Sequence, residues 1–341
     1  MPFLPSRQAT QMRVISLEDH FSTPLDRASI PAPKGLRAST LQHLDDRVGF
    51  SVDGGLMDLG ARRLEHMDRA GIDFQVISLT SPGAQGCPAD KAVVLARDAN
   101  DRLHEAVKAH PTRFGGFAAL PTVDAEASVN ELERCVTKLG FLGACVNGHT
   151  RGEFLDAPKY WPLFEACEAL GVPFYLHPTQ PPAAVMASLF QGPVEPFSRA
   201  AWGFSMEAGT HFLRLVMSGV FDRFPKLTMI LGHLGEGIPF VLDRMNSHTQ
   251  LTCREAGLKN DVAGYMRENV VVTTSGNFSV AAFVCTVMTL GAERILFSVD
   301  WPYEKNEWGA ELLARLPISP AELAKVAHQN AERVLRLAPR G

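Results

Sequence analysis

Residues 14–20 read VISLEDH, an apolar run with β-branched residues that ends in three polar side chains. This pattern predicts a short, buried β-strand whose last residues leave the hydrophobic layer. Seven more stretches share the pattern: residues 75–80, 114–121, 143–148, 173–178, 227–233, 270–276 and 295–302.

Segments with helical periodicity lie between these strands, and several begin at an Asp, Ser or Pro that suits a first helical turn. The clearest are residues 90–108, 124–138, 158–170, 280–290 and 320–337. Alternating strands and helices favour parallel pairing with right-handed crossovers. Eight such units in 341 residues predict an α/β fold, a (β/α)8 barrel of the TIM type, rather than an open sheet.

The length of the chain would allow about two domains, but no linker, repeat or low-complexity tract divides it. We therefore predict a single barrel domain over residues 1–341. Two long insertions interrupt the pattern, residues 21 to about 60 and 179 to about 204, and both follow a predicted strand. Loops in this position build the active sites of barrels.

The composition is that of an ordinary globular protein, with 46% hydrophobic and 21% charged residues, which excludes a disordered or collagen-like chain. The net charge of −4 and the absence of a basic block argue against nucleic acid as a partner. The longest apolar stretch is too short to cross a membrane. Six cysteines without a C-x-x-C pair predict reduced thiols, and the first residues lack the apolar core of a secretion signal. These features predict a cytoplasmic enzyme.

Polar side chains end several of the predicted strands. Glu18 and His20 end the first strand, His177 the fifth and Asp300 the eighth. Glu18 and His20 are two residues apart and therefore point to the same side of their strand. Because the strands of a barrel end at one face, we expect all four side chains to meet there. Two imidazoles and two carboxylates suit Zn²⁺ or Mn²⁺ and leave coordination positions for water or substrate.

Each of these residues also has a simpler interpretation. A single histidine at a strand end is usually a hydrogen-bonded structural residue, and a lone Glu-x-His pair is a weak signal. The coincidence of four ligand types at strand ends of one barrel favours the metal site.

His233 ends the sixth predicted strand, and Glu236 follows three residues later. A turn there would let the carboxylate hold the imidazole in one tautomer and raise its basicity. The alternative is that Glu236 only favours the N-terminus of the next helix electrostatically. We favour a functional role for both residues.

The chain resembles the aromatic acid decarboxylase branch of the amidohydrolase superfamily, which acts on γ-resorcylate, 2,3-dihydroxybenzoate, salicylate and 5-carboxyvanillate. The similarity extends over nearly the whole chain, from Ile15 to about Leu335. The matching stretches are residues 17–21, 117–121, 139–141, 146–148, 172–178, 230–237, 273–278, 295–298 and 300–302. Each motif is modest, but the ordered set is specific.

The resemblance implies one divalent metal ion, Zn²⁺ or Mn²⁺, held by Glu18, His20, His177 and Asp300. It also implies that His233 and Glu236 assist Asp300, and that Arg244 reaches the substrate of a neighbouring subunit in a homodimer or homotetramer.

The sequence departs from the family pattern in two places. The family usually has a second glutamate where Asp19 stands; we expect this side chain to face away from the metal and the change to have little effect. The two insertion loops match poorly, and these loops would shape the substrate pocket.

The implied reaction is the non-oxidative decarboxylation of an ortho-hydroxybenzoate-type aromatic acid. Its phenolate and carboxylate oxygens would chelate the metal, and Asp300 would protonate the ring carbon before CO₂ leaves. Four aromatic residues near strand ends are candidates to contact the ring, although a core role suits each of them equally well: Phe21, Phe190, Trp202 and Phe297.

Two other functions remain open from the sequence. The same residues could activate water in a metal-dependent hydrolase of a lactone or ring-cleavage product, with Asp300 as general base. A non-catalytic barrel that binds an aromatic acid is the third possibility, but it predicts missing ligands, and all four are present.

Overall fold

The computed structural model describes residues 12–29 and 36–338. Nine strands lie in these two ranges, and each pairs in parallel with its neighbours along the chain except that the third does not pair with the fourth. They are β1 (Ile15–Phe21), β2 (Phe74–Leu79), β3 (Phe114–Gly116), β4 (Ala118–Ala119), β5 (Ala144–Asn147), β6 (Phe174–His177), β7 (Met229–Leu231), β8 (Val270–Thr273) and β9 (Ile295–Leu296).

Helices connect the strands and form the outer layer. They are α1 (Pro24–Ser29), α2 (Leu36–Val48), α3 (Val52–Leu56), α4 (Ala61–Ala70), α5 (Ala89–Ala109), α6 (Ala125–Lys138), α7 (Trp161–Leu170), α8 (Ala183–Leu189), α9 (Gly203–Met217), α10 (Val220–Arg223), α11 (His233–Glu236), α12 (Ile238–Glu255), α13 (Val262–Glu268), α14 (Val280–Leu290), α15 (Asn306–Arg315), α16 (Pro320–Ala324) and α17 (Asn330–Leu335). None of the helices in the described ranges is long and apolar enough to cross a membrane.

The third predicted strand, residues 114–121, is two strands in the structure. β3 pairs with β2, whereas β4 pairs with β5. The chain changes partner at Phe117, whose N–H donates to the Ile77 carbonyl, while the next N–H donates to Gly143. β1–β3 and β4–β9 therefore form two sheets that meet at this residue.

Hydrogen bonds also connect the last strand position to the first. The Asp300 N–H donates to the Glu18 carbonyl at 2.8 Å, and the His20 N–H donates to the Trp301 carbonyl at 2.7 Å. Strand positions one to eight thus follow one another around a closed ring, and the predicted (β/α)8 barrel is confirmed. That residues 1–341 form one domain stays a prediction.

The barrel interior is apolar toward the N-terminal ends of the strands and polar toward their C-terminal ends, which we call the upper end. One inner cluster takes a buried side chain from most strands, including Ile15, Tyr175, Ile230 and Leu296. The side chains between the sheets and the helices form the larger core. β1 changes register between Ser16 and Asp19, an irregularity of the kind that redirects side chains next to active sites. Polar residues therefore begin at the upper end of the strands, where the loops leave.

The predicted insertions contain helices. α1, α2 and α3 lie in the first, and α8 with a 3₁₀ turn (Gly192–Ser198) lies in the second. All six cysteines are free thiols in the structure, and five of them are buried.

Candidate metal centre and active site

The upper end of the barrel brings together the four predicted ligand residues. The Glu18 Oε1 atom lies 3.3 Å from His177 Nε2, and the His20 Nε2 atom lies 3.2 Å from Asp300 Oδ1. The rings of His20 and His177 meet edge to face, with their centroids 4.7 Å apart. Glu18, His20 and His177 each offer one ligand atom within 4.8 Å of the others.

Several buried polar atoms in this cluster have no hydrogen-bond partner within residues 12–29 and 36–338. They are Glu18 Oε1, His20 Nε2 and Asp300 Oδ1. Leaving such atoms unsatisfied is costly, because they have lost water and gained nothing in return. A divalent cation with mixed nitrogen and oxygen ligands fits this donor set.

The second oxygen of Glu18 is held by three hydroxyl groups. Tyr175 and Ser275 donate to Oε2, and Thr273 donates to it at 3.2 Å. Burial raises the pKa of Glu18, but the surrounding imidazoles outweigh burial and lower it below the ordinary value. Glu18 is therefore a fixed carboxylate with Oε1 left for a ligand. A Cβ at Gly232 would lie 2.9 Å from Oε2, so a larger residue there would displace this carboxylate.

His20 has the protonation state that a metal ligand needs. Burial lowers its pKa to about 4, so the imidazole is neutral near pH 7. Its Nδ1 atom lies 3.1 Å from Ser78 Oγ. A proton on Nδ1, donated to this hydroxyl, leaves the Nε2 lone pair for the metal.

His233 and Glu236 meet through an unusual turn. His233, Leu234 and Glu236 all have positive φ angles of 51–59°, which non-glycine residues rarely adopt. This conformation places His233 Nδ1 2.7 Å from Glu236 Oε1. The other ring nitrogen, Nε2, lies 3.5 Å from Glu18 Oε1 and 4.0 Å from Asp300 Oδ2. Burial lowers the pKa of His233, but the charges of Glu236, Glu18 and Asp300 raise it well above the ordinary value.

Asp300 is also held in an uncommon conformation. Its φ angle is +82°, and its N–H donates to Glu18 O. Burial and the neighbouring Glu18 charge raise its pKa well above the ordinary value, against the opposing effect of His233 and His177. Two carboxylates in contact with the same imidazoles thus differ: Glu18 is stabilised as an anion and Asp300 as an acid.

Two of the four predicted aromatic contacts lie in the hydrophobic core, and their contact with an aromatic acid stays a prediction. Phe21 and Phe297 are fully buried in the core between the sheets and the helices. Each directly adjoins an inward-facing residue, His20 or Ser298, and successive side chains of a strand point to opposite faces.

The remaining predicted contacts lie in other surroundings. Phe190 is buried after α8, Trp202 is 60% exposed before α9, and Arg244 is exposed on α12. In the described parts of the chain, no hydrogen bond or ring contact joins them to the ligand cluster. Their roles stay predictions.

Some residues of the site were not predicted from the sequence. The ring centroid of Tyr303 lies 5.9 Å from that of His20, and its hydroxyl lies 2.7 Å from Thr80 Oγ1. Tyr175 precedes His177 by two residues, and Thr273 and Ser275 are also two apart. The period of two along each strand could have identified the inward-facing hydroxyls of Tyr175, Thr273 and Ser275.

Comparisons with known proteins agree with this geometry. A family model described as "Amidohydrolase" matches residues 43–337. The γ-resorcylate decarboxylase of Polaromonas sp. (strain JS666 / ATCC BAA-500) is 38% identical over 340 residues, which cover 95% of this chain and 98% of the relative.

Two solved structures are also similar. One is dihydroxybenzoic acid decarboxylase from Polaromonas sp. JS666 with bound manganese and the inhibitor 2-nitroresorcinol: 36% identity, TM-score 0.82, covering 97% of this chain and 98% of that one. The other is 5-carboxyvanillate decarboxylase from Novosphingobium aromaticivorans DSM 12444 with manganese and 4-hydroxy-3-methoxy-5-nitrobenzoic acid: 31% identity, TM-score 0.86, covering 96% and 97%.

Proposed function

The chain belongs to the amidohydrolase family, and we propose that it is a metal-dependent carboxy-lyase that removes CO₂ from an ortho-hydroxybenzoate without oxidation. The observation that carries the proposal is the group of unpartnered ligand atoms at the upper end of the barrel. Among them lies Asp300, whose pKa is raised by its surroundings, whereas the pKa of Glu18 is lowered. The relatives named above act on hydroxylated aromatic acids, which makes 2,6-dihydroxybenzoate (γ-resorcylate) the first substrate to test.

Glu18, His20, His177 and Asp300 would hold one divalent cation, and the manganese in both solved relatives favours Mn²⁺ over Zn²⁺. When bound, this cation supplies Lewis-acid and template chemistry toward adjacent oxygen atoms of the substrate.

Residues of the chain itself supply the proton that the ring carbon receives. Asp300 holds a proton at a carboxyl oxygen and gives it to the ring carbon that bears the carboxylate. The bond between this carbon and the carboxylate then breaks, its electron pair returns to the ring, and CO₂ leaves. His233 then returns a proton to Asp300 from its Nε2 atom, which lies 4.0 Å from Asp300 Oδ2. Glu236 accepts a hydrogen bond from His233 Nδ1 and thereby fixes the orientation of the imidazole.

A substrate panel tests this function. The metal-loaded protein is incubated with 2,6-dihydroxybenzoate, 2,3-dihydroxybenzoate, salicylate and 5-carboxyvanillate, and CO₂ and the aromatic product are both measured. We expect one CO₂ for each phenol formed from at least one of these acids. Ring opening or addition of water, without CO₂, would instead support the hydrolase. Binding of the acids without turnover would support the non-catalytic barrel.

The oligomer belongs to the same proposal. α12 exposes Arg244 and, one turn earlier, Phe240, which is 82% exposed; Met288 on the neighbouring α14 is 83% exposed. Large apolar side chains next to a cation that has no ion pair within residues 12–29 and 36–338 suit a contact between two copies of the chain. We place Arg244 in the neighbouring subunit's site, in a homodimer or homotetramer, and the protein in the cytoplasm.

A further inference from the structure

A buried acid lies directly behind the metal centre. Asp19 stands between Glu18 and His20 on β1, and none of its side chain is exposed. Its Oδ1 atom accepts a hydrogen bond from the Trp301 N–H at 3.1 Å. Asp19 therefore contacts the backbone immediately after Asp300 rather than the ligand cluster.

This backbone needs support because of its conformation. The φ angle of Asp300 is +82°, a region that costs a non-glycine residue of order 1–3 kcal/mol and persists only where the surroundings enforce it. Three hydrogen bonds from β1 do so: Asp300 N–H to Glu18 O, His20 N–H to Trp301 O, and Trp301 N–H to Asp19. Asp19 supplies the only side-chain acceptor of the three.

A fully buried cation completes the arrangement. Arg63 on α4 donates to the carbonyl oxygens of His20 at 2.6 Å and Asp58 at 2.9 Å. Its guanidinium carbon lies 4.2 Å from the centroid of a Trp301 ring. Arg63 also lies near the side chain of Asp19: burial raises the pKa of this acid, and the charge of Arg63 opposes that rise. Arg63 thus holds the carbonyl of one metal ligand, while Asp19 holds the amide that follows another.

We propose that Asp19 is a positioning residue for the decarboxylation: together with Arg63 it fixes the Asp300–Trp301 peptide, so that the Asp300 carboxylate faces His20 Nε2 and the donor set is formed before metal binds. The proposal rests on the proposed function, because it assumes that these residues bind the metal. It also assigns a role to the position at which the sequence departs from its family, where we had expected little effect.

Two variants separate the parts of this role. D19N keeps an oxygen for the Trp301 N–H but cannot ionise, whereas D19A removes the hydrogen-bond acceptor as well. The matched control is E131Q, which alters a carboxylate that binds Asn100 and Arg134 between α5 and α6, away from the metal centre. Circular dichroism and melting temperature report the folding of all three variants.

The main measurement is Mn²⁺ binding to the metal-free proteins by calorimetry. Loss of a residue that orients metal ligands typically costs 10–100-fold, so we expect Kd to rise about 10-fold in D19N and about 100-fold in D19A. We also expect a changed electron paramagnetic resonance spectrum of bound Mn²⁺. With saturating metal, kcat should fall while KM stays within about threefold, since binding of the aromatic acid is unaffected. E131Q should keep the wild-type Kd, spectrum and kcat.

Each outcome has a distinct meaning. If the wild-type chain binds no Mn²⁺ or releases no CO₂, the proposed function fails. If the wild type does both and D19N and D19A match it, the role of Asp19 alone is overturned. An equal loss of Mn²⁺ affinity in E131Q would also contradict it, because the effect would then be general. If D19A does not fold, D19N decides.

Discussion

The two carboxylates at the centre of the site, Glu18 and Asp300, have different surroundings and therefore different tasks. Three hydroxyl donors and the imidazoles stabilise Glu18 as an anion. Among the residues that the structure describes, no comparable set of donors contacts the Asp300 carboxyl group, and burial beside Glu18 raises its pKa. Pairs of titratable groups whose environments push their pKa values apart are typical of acid–base sites.

The D300N variant tests the role of the acid. Asparagine preserves the size of the side chain but has no carboxyl proton to deliver. Because general acid catalysis contributes about 10²–10⁴-fold, we expect kcat to fall by that factor. D156N is the matched control, since Asp156 forms a partly exposed ion pair with Arg214 and should keep wild-type kcat. An unchanged kcat in D300N would remove Asp300 from the proton transfer.

Single residues also show how far the sequence can specify a site. Glu18 and His20 were predictable because the period of two puts both on one face of β1. The same period places Phe21 and Phe297 on the opposite face, in the larger core, because each adjoins an inward-facing residue. Tyr303 follows Asp300 by three residues in irregular backbone, where no period applies.

At the level of elements, the first two predicted strands have the observed lengths, the third is two strands, and the last five are longer than the observed ones. Residues 297–302 were expected to continue the last strand, yet β9 ends at Leu296. The Phe297 N–H donates to the Val326 carbonyl and the Ser298 N–H donates to the Thr274 hydroxyl, so the regular backbone ladder ends there. The turn that joins His233 to Glu236 was predictable from the three-residue spacing. Its left-handed backbone was not, because that conformation depends on tertiary contacts.

The exposed face of α12 leads to a prediction about subunits. If Arg244 serves the partner's site, a mixed oligomer of R244M and D300N contains one site with both residues intact. We therefore expect two inactive variants to regain activity when they are unfolded together and refolded, or coexpressed. The measurement is the rate of CO₂ release by the mixture.

The control for this mixture is D300N with H177Q, because both residues belong to the same chain's site and no mixed oligomer restores one. Activity of the R244M–D300N mixture that remains at the sum of the separate variants would place Arg244 outside the partner's site.

In the molecule as a whole, the closure of the barrel and the geometry of the site depend on the same hydrogen bonds. The hydrogen bonds that join residues 300–301 to β1 complete the ring of strands and also deliver Asp300 to His20. The fold class followed from the sequence because eight apolar runs alternate with helices. The point of closure did not, since it uses backbone groups and buried Asp19 and Arg63 rather than a strand pattern.

Metal content measured against turnover tests the central claim most directly. The protein is freed of metal with a chelator, Mn²⁺ is added in steps, and CO₂ release from 2,6-dihydroxybenzoate is followed. The account predicts no CO₂ release without metal, and a rate that rises to a plateau at one Mn²⁺ per chain, because one set of four ligands meets at the barrel end. Undiminished CO₂ release from the metal-free protein, or no release at any Mn²⁺ content, would contradict it.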